Sequence, residues 1–198
     1  MEGLETKENI EKAVEGHERT HSTRRIGLLI AALAALLALT EAGGKSAQTE
    51  ALNANVQASD LWAFFQSKTI RITTIRTAAE TANIDLLRDM APETKAVIQK
   101  QIDTWNATAA RYESDPQTKE GRKELTERAL QAEAERDREL AAYHLFEFGS
   151  AASQLAIVLA SAAIITGLTF FVYVAAGLGI LGAAFGFMGW LAPTMLHL

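Results

Sequence analysis

One short stretch carries residue types at catalytic spacing. His17-Glu18-Arg19-Thr20-His21 fits the H-E-x-x-H pattern of zinc peptidases. On a helix, two histidines four apart share a face and would ligate zinc, with Glu18 between them as general base. Such a site also needs a third ligand and a dry, supported cleft. Here the neighbours are Glu15, Gly16, Ser22, Thr23, Arg24 and Arg25, and nothing apolar flanks the motif. His144 and His197 lie far along the chain, and Glu11 is a carboxylate that nothing singles out. The expectation is therefore a solvated tail over residues 1–25, with no metal and no cofactor. His17 and His21 are the residues that would ligate a metal if one bound.

The other polar candidates are simpler. Asn53, Gln57 and Asp60 form a strip at helical spacing, the kind of strip that fixes register between packed helices; lining an aqueous opening is the alternative. Arg71 and Arg76 suit surface pairing with carboxylates. No phosphate loop, dinucleotide fingerprint, nucleophile elbow or calcium loop is present. There is no cysteine, which excludes disulfides and thiolate metal sites. A net charge of -5 argues against nucleic acid as a partner.

The elements that would carry these residues follow from where the charges fall. No Asp, Glu, Lys or Arg occurs from Ile26 to Thr40, and none from Phe148 to the C-terminus. That segregation predicts an all-α membrane protein with an aqueous middle. The first run, IGLLIAALAALLALT, is expected to anchor as a helix over residues 26–44 rather than to be a cleaved signal, because 25 residues precede it. The second run is about twice the length a bilayer needs, so it must fold back. The glycines of Ala175-Ala176-Gly177-Leu178-Gly179 mark the expected turn. That gives membrane helices over 148–174 and 179–196. Gly179, Gly182 and Gly186 in the third helix are expected to let backbones approach closely, either within the chain or between copies.

Arg19, Arg24 and Arg25 precede the first run and only Lys45 follows it closely. The positive-inside rule then puts the N-terminus in the cytoplasm and the middle outside, although Arg136 and Arg138 pull the other way. Tyr143, Phe146, Phe148 and Trp190 would form an aromatic belt at one interface.

The middle, residues 45–147, is expected to be helical. Pro92 is placed to open a helix, and so is Pro116, with Asp115 as N-cap and Gly121 inside. Leu61, Phe65, Lys68, Ile72, Ile75, Ala79, Ala82 and Leu86 step by four and three. Ile98, Ile102, Trp105, Ala109 and Tyr112 do the same, which is coiled-coil spacing. Lys68 interrupts its seam, but its stem can pack. Residues 45–90 would run roughly 69 Å as helix and 92–147 slightly more. Both legs meet the same membrane surface, so an antiparallel helical hairpin, a coiled-coil-like stalk, satisfies the count. The alternative lays Trp62, Phe64 and Phe65 on the bilayer.

GKSAQTEALNANVQASDLWAFFQSKTIR, Gly44 to Arg71, resembles the bacterial membrane family catalogued as domain of unknown function 4337; Gln57, Asp60, Trp62, Phe65, Gln66 and Lys68 are its recognisable points. FEFGSAASQLAIVLASAAIIT, Phe146 to Thr166, looks like the same family's second membrane segment. The resemblance implies a multi-pass bacterial membrane protein, and the expected location is the bacterial inner membrane. It brings no activity, catalytic residue or ligand. Together these readings predict a non-enzymatic, self-associating membrane protein. It would scaffold an envelope assembly, with the bilayer, its own copies and an unidentified membrane protein as partners. A pore subunit is the first alternative and a zinc peptidase the second.

Overall fold

The structure is a computed structural model that describes the backbone of residues 2–195 and the side chains of residues 23–195. It contains four α-helices: α1 (Glu2–Asp85), α2 (Pro92–Glu113), α3 (Arg122–Thr166) and α4 (Thr169–Leu191). A single 3-10 turn, Pro193–Met195, follows α4. No strand occurs among the described residues. Three of the helices are long and apolar enough to cross a membrane: α1, α3 and α4. The chain divides into two compact units, one of residues 1–50 with 138–198, the other of residues 51–137.

α1 is long because nothing in it stops a helix. It has no proline, and most of its residues are good helix formers. Its burial repeats by alternate steps of four and three. In the first unit the sequence of partly or fully buried positions is Ile26, Ile30, Leu33, Leu37, Thr40, Gly44 and Ala47. In the second unit it continues in the same phase through Ala51, Ala54, Ala58, Leu61, Phe65, Lys68, Ile72, Ile75, Ala79 and Ala82. The expected seam from Leu61 to Leu86 is therefore present, and it begins much earlier than the large aliphatics suggest.

In the first unit, Ile26 and Leu33 of α1 cluster with Ala156, Ala160 and Ala163 of α3 and Ala175 of α4. Phe146 projects from α3 between two glycine surfaces. A Cβ at Gly43 would stand 2.7 Å from its ring, and one at Gly189 would stand 3.2 Å away. Only 5% of Phe146 is exposed, so it packs the interior and does not join an aromatic belt. Trp190 and Phe148 remain exposed.

The fold-back of the apolar run is displaced from the expected place. α3 ends at Thr166 and α4 begins at Thr169, while Ala175 to Gly179 lie inside α4. The turning residue is Gly167, at φ +71, a left-handed conformation that glycine adopts without the Cβ penalty. Its N–H donates to the Ala163 carbonyl, and the Leu168 N–H donates to Thr166 Oγ1. The apolar segments are thus 148–166 and 169–191 rather than 148–174 and 179–196.

In the second unit, Ala58 and Leu61 of α1 pack on Leu125, Ala129 and Ala132 of α3, with Trp62, Phe64 and Phe65 against them. On α2, Ile102 and Ala109 are buried and Ile98, Trp105 and Tyr112 half-buried, as the spacing predicts. Pro92 opens α2. Pro116 opens no helix: α2 runs to Glu113, residues 116–119 form a turn, and α3 starts at Arg122. The Asp115 carboxylate accepts from the Thr118 N–H at 3.2 Å, and the Lys119 N–H closes one turn on the Asp115 carbonyl. Lys119 then adopts φ 57 and ends that turn. Gly121 stands before α3, and its carbonyl accepts the Leu125 N–H.

Candidate functional site

Three places hold groups with chemical potential. The H-E-x-x-H stretch, with His17, Glu18 and His21, lies outside the residues whose side chains are described, and so does His197. Among the described residues no group of three or more His, Asp or Glu is placed to hold a metal. His144 Nδ1 lies 3.5 Å from Glu147 Oε2.

The second place is Lys68, in the second unit. It occupies a core position of the α1 seam, and only 7% of it is exposed. Its ammonium stands 5.0 Å from the Phe64 ring centroid and 4.7 Å from that of Tyr112. Glu120 Oε2 is 3.7 Å away. The stem replaces an aliphatic residue and the charge is held by two π faces and one carboxylate, each a modest attraction. Arg122 repeats the device. Its guanidinium lies 4.7 Å over the Phe65 ring and 3.4 Å from Glu113 Oε2. Arg76 reaches the same Glu113 oxygen at 3.6 Å. Trp62 Nε1 donates to Glu133 Oε1 at 2.9 Å. These contacts tie α1, α2 and α3 through charged groups seated on rings. The turn before α3 adds one more. Ser114 Oγ donates to Glu124 Oε1 at 2.6 Å, and the Asp115 N–H donates to Glu124 Oε2 at 3.0 Å. The hydrogen bond from Ser114 lowers the Glu124 pKa from its ordinary value, and the Thr118 N–H does the same for Asp115. Glu124 is thus spent on the turn rather than on the helical pair with Arg128 that its spacing suggests. Arg128 instead donates to the Lys119 carbonyl.

The polar strip is exposed. Asn53, Gln57 and Asp60 all face solvent and line an open groove of about 510 Å³ together with Phe64, Glu120 and Arg128. They are not held between packed helices of this chain.

The third place lies in the first unit, where polar groups occur inside the apolar runs. Ser150 Oγ donates to Thr40 Oγ1 at 3.0 Å, and Thr40 Oγ1 donates to the Leu37 carbonyl at 2.9 Å. Ser153 Oγ donates to the Gly149 carbonyl. These hydroxyls leave their polar atoms satisfied, as an apolar surrounding demands. The glycines of α4 fill in behind them. A Cβ at Gly182 would meet Ser153 Oγ at 2.8 Å and the Gly149 carbonyl at 2.9 Å; one at Gly186 would meet Thr40 Cγ2 at 2.9 Å. At Gly179 a Cβ would stand 2.5 Å from Leu33 Cδ2. The glycine face is therefore occupied by α1 and α3 of the same chain. Beside it runs a lateral groove of about 630 Å³ with Glu41, Lys45, Glu147 and Gln154 on its walls. Gln154 Nε2 donates to Glu41 Oε1 at 3.3 Å. Tyr143 Oη donates to Glu147 Oε1 at 2.8 Å, and that bond raises the Tyr143 pKa.

Sequence reasoning missed this groove because Glu41 reads as the end of an anchor and Gln154 as an isolated polar residue. Their i,i+4 neighbours, Lys45 and Ser150, were the available signal. No curated protein and no solved structure matches the chain. One family model does, over residues 22–192, a span that starts just after the H-E-x-x-H stretch. The chain belongs to the family described as Domain of unknown function (DUF4337).

Proposed function

We propose that the chain is a non-enzymatic, three-span protein of a bacterial cell membrane that self-associates and serves as a structural component of an envelope assembly. The N-terminus lies in the cytoplasm, and residues 45–147 form an antiparallel helical hairpin in the periplasm. One observation carries self-association. On the face of α1 opposite its filled seam, Leu52, Val56, Ala63 and Ile70 are spaced by four and seven and are all exposed. Leu52 is 62% and Ile70 67% exposed, a row of apolar side chains that water does not favour. A second copy presenting the same row buries both. The glycine-rich helix, already filled from within, is not needed for the contact.

Light scattering of the purified protein in detergent tests the reading. An oligomer that Leu52→Glu with Ile70→Glu converts to monomers is expected; a wild-type monomer at all concentrations contradicts it. A pore is the second reading, favoured by the exposure of Asn53, Gln57 and Asp60 along an open groove. Conductance across planar bilayers that Asp60→Lys alters would support it, and silence across several lipids would remove it. For the zinc peptidase alternative, metal analysis with Glu18→Gln as control decides.

A further inference from the structure

We infer that the lateral groove of the first unit binds the headgroup of a phospholipid bearing a primary amine. The inference rests on reading that unit as membrane-spanning. Glu41 directly follows the charge-free run 26–40, and Gln154 lies inside the charge-free run that starts at Phe148. On that reading the carboxylate sits at the edge of the hydrocarbon, where an ionised group needs a partner. The Gln154 amide orients it at 3.3 Å without balancing its charge. Glu147, at the same groove, is already engaged by Tyr143 Oη and His144 Nδ1. Lys45 lies one helical turn beyond Glu41 on the same wall.

An anion and a cation one turn apart beside an apolar wall match a zwitterionic headgroup. The ammonium donates to Glu41, the phosphodiester accepts from Lys45, and an acyl chain follows Phe148 and Ala151, which line the same groove. A primary ammonium donates charge-assisted hydrogen bonds; a quaternary one has no N–H to donate. The groove thus selects ethanolamine over choline headgroups, and over glycerol headgroups that carry no cation.

The full chain is reconstituted in nanodiscs holding equal phosphatidylethanolamine, phosphatidylglycerol and phosphatidylcholine. Lipid retained by the protein after extraction is then quantified by mass spectrometry. Phosphatidylethanolamine is expected to be enriched about ten-fold over the other two, and Glu41→Gln to bring the ratio to that of the disc. Equal retention of all three lipids by the wild-type chain overturns the inference without recourse to any variant. So does undiminished enrichment in a Glu41→Gln chain with wild-type helicity. A chain that stays soluble without detergent overturns the membrane reading itself. One that inserts and shows no preference overturns only the inference.

Discussion

The two units use one spacing and two chemistries. In both, α1 buries positions alternately four and three apart. In the first unit those positions on α1 include Ile26 and Leu33 and then Thr40, Gly44 and Ala47, and their partners are mostly small: Ala156, Ala160 and Ala163 on α3, and Gly179, Gly182 and Gly189 on α4. In the second they include Leu61, Phe65, Ile72 and Leu125, with Lys68 and Arg122 seated on rings. On the proposed membrane reading, the difference follows from the surroundings. In water, burying large aliphatic and aromatic side chains is the main driving force. In lipid that force vanishes between helices, and close backbone approach through small residues takes its place. A shared heptad period thus says that helices pack, while the small partners on α3 and α4 of the first unit fit the proposed division between lipid and water.

The contrast breaks first where volume is removed from the second unit. Leu125 is fully buried. Leu125→Ala is expected to cost about 2–5 kcal/mol in urea or thermal unfolding of that unit, through lost transfer energy and a cavity. In the first unit the damaging change has the opposite sign of volume. Gly182→Val, pressing on the Gly149 carbonyl and Ser153, is expected to cost about 1–3 kcal/mol in detergent thermal stability. Were Gly182→Val neutral, the close-packing account of that unit would fail.

Lys68 sharpens the comparison. Lys68→Ala should destabilise the second unit by about 1–3 kcal/mol, because the seam loses a buried stem. Lys68→Met keeps the volume and leaves Glu120, whose side chain is half exposed, to water, so it is expected to be close to neutral. Unfolding curves of both variants separate packing from charge.

Two glycines decide where the apolar run turns. Gly167 carries a positive φ, so Gly167→Ala should cost about 1 kcal/mol. Gly177 lies mid-helix with open space around it, so Gly177→Ala should stabilise by roughly 0.5–1 kcal/mol. The reverse order would move the turn to residues 175–179.

The smallest effect concerns acid. Glu124 and Asp115 have pKa values below their ordinary 4.5 and 3.8 in the folded state. Their contribution is present above those values and is lost as pH falls through the lower folded values. Amide exchange at Asp115 should therefore rise with acid beyond its intrinsic rate, and Glu124→Gln should largely remove that rise.

The second unit was the more legible in sequence. Ile72, Ile98 and Ile102 stand out because polar residues surround them. From Ile26 to Leu37 the seam's aliphatics stand among residues just as apolar, and from Thr40 to Ala58 it is made of Thr, Gly and Ala, so period alone does not find it. Two glycines close together, Gly177 and Gly179, make a stronger turn signal in sequence than the lone Gly167, although splitting the run at 167 yields segments closer to the bilayer's need. Pro116 fits a helix start by type, but Gly121 leaves no room for a Cβ beside the Asp115 amide and Ser114 Cα, and the chain tightens there first. The polar strip was legible as a strip, and its exposure was not.

The chain has no cysteine, so each introduced thiol is unique. Leu28, Val158 and Ile180 of the first unit are 68%, 63% and 72% exposed, and Leu87, Val97 and Leu130 of the second, which lie off the proposed self-association row, are 85%, 69% and 53%. Exposure is comparable; the proposed solvent differs. With the protein reconstituted in nanodiscs, a water-soluble maleimide should label Leu87→Cys, Val97→Cys and Leu130→Cys rapidly and leave Leu28→Cys, Val158→Cys and Ile180→Cys unmodified. Equal labelling of the two sets would contradict the division of this molecule between lipid and water.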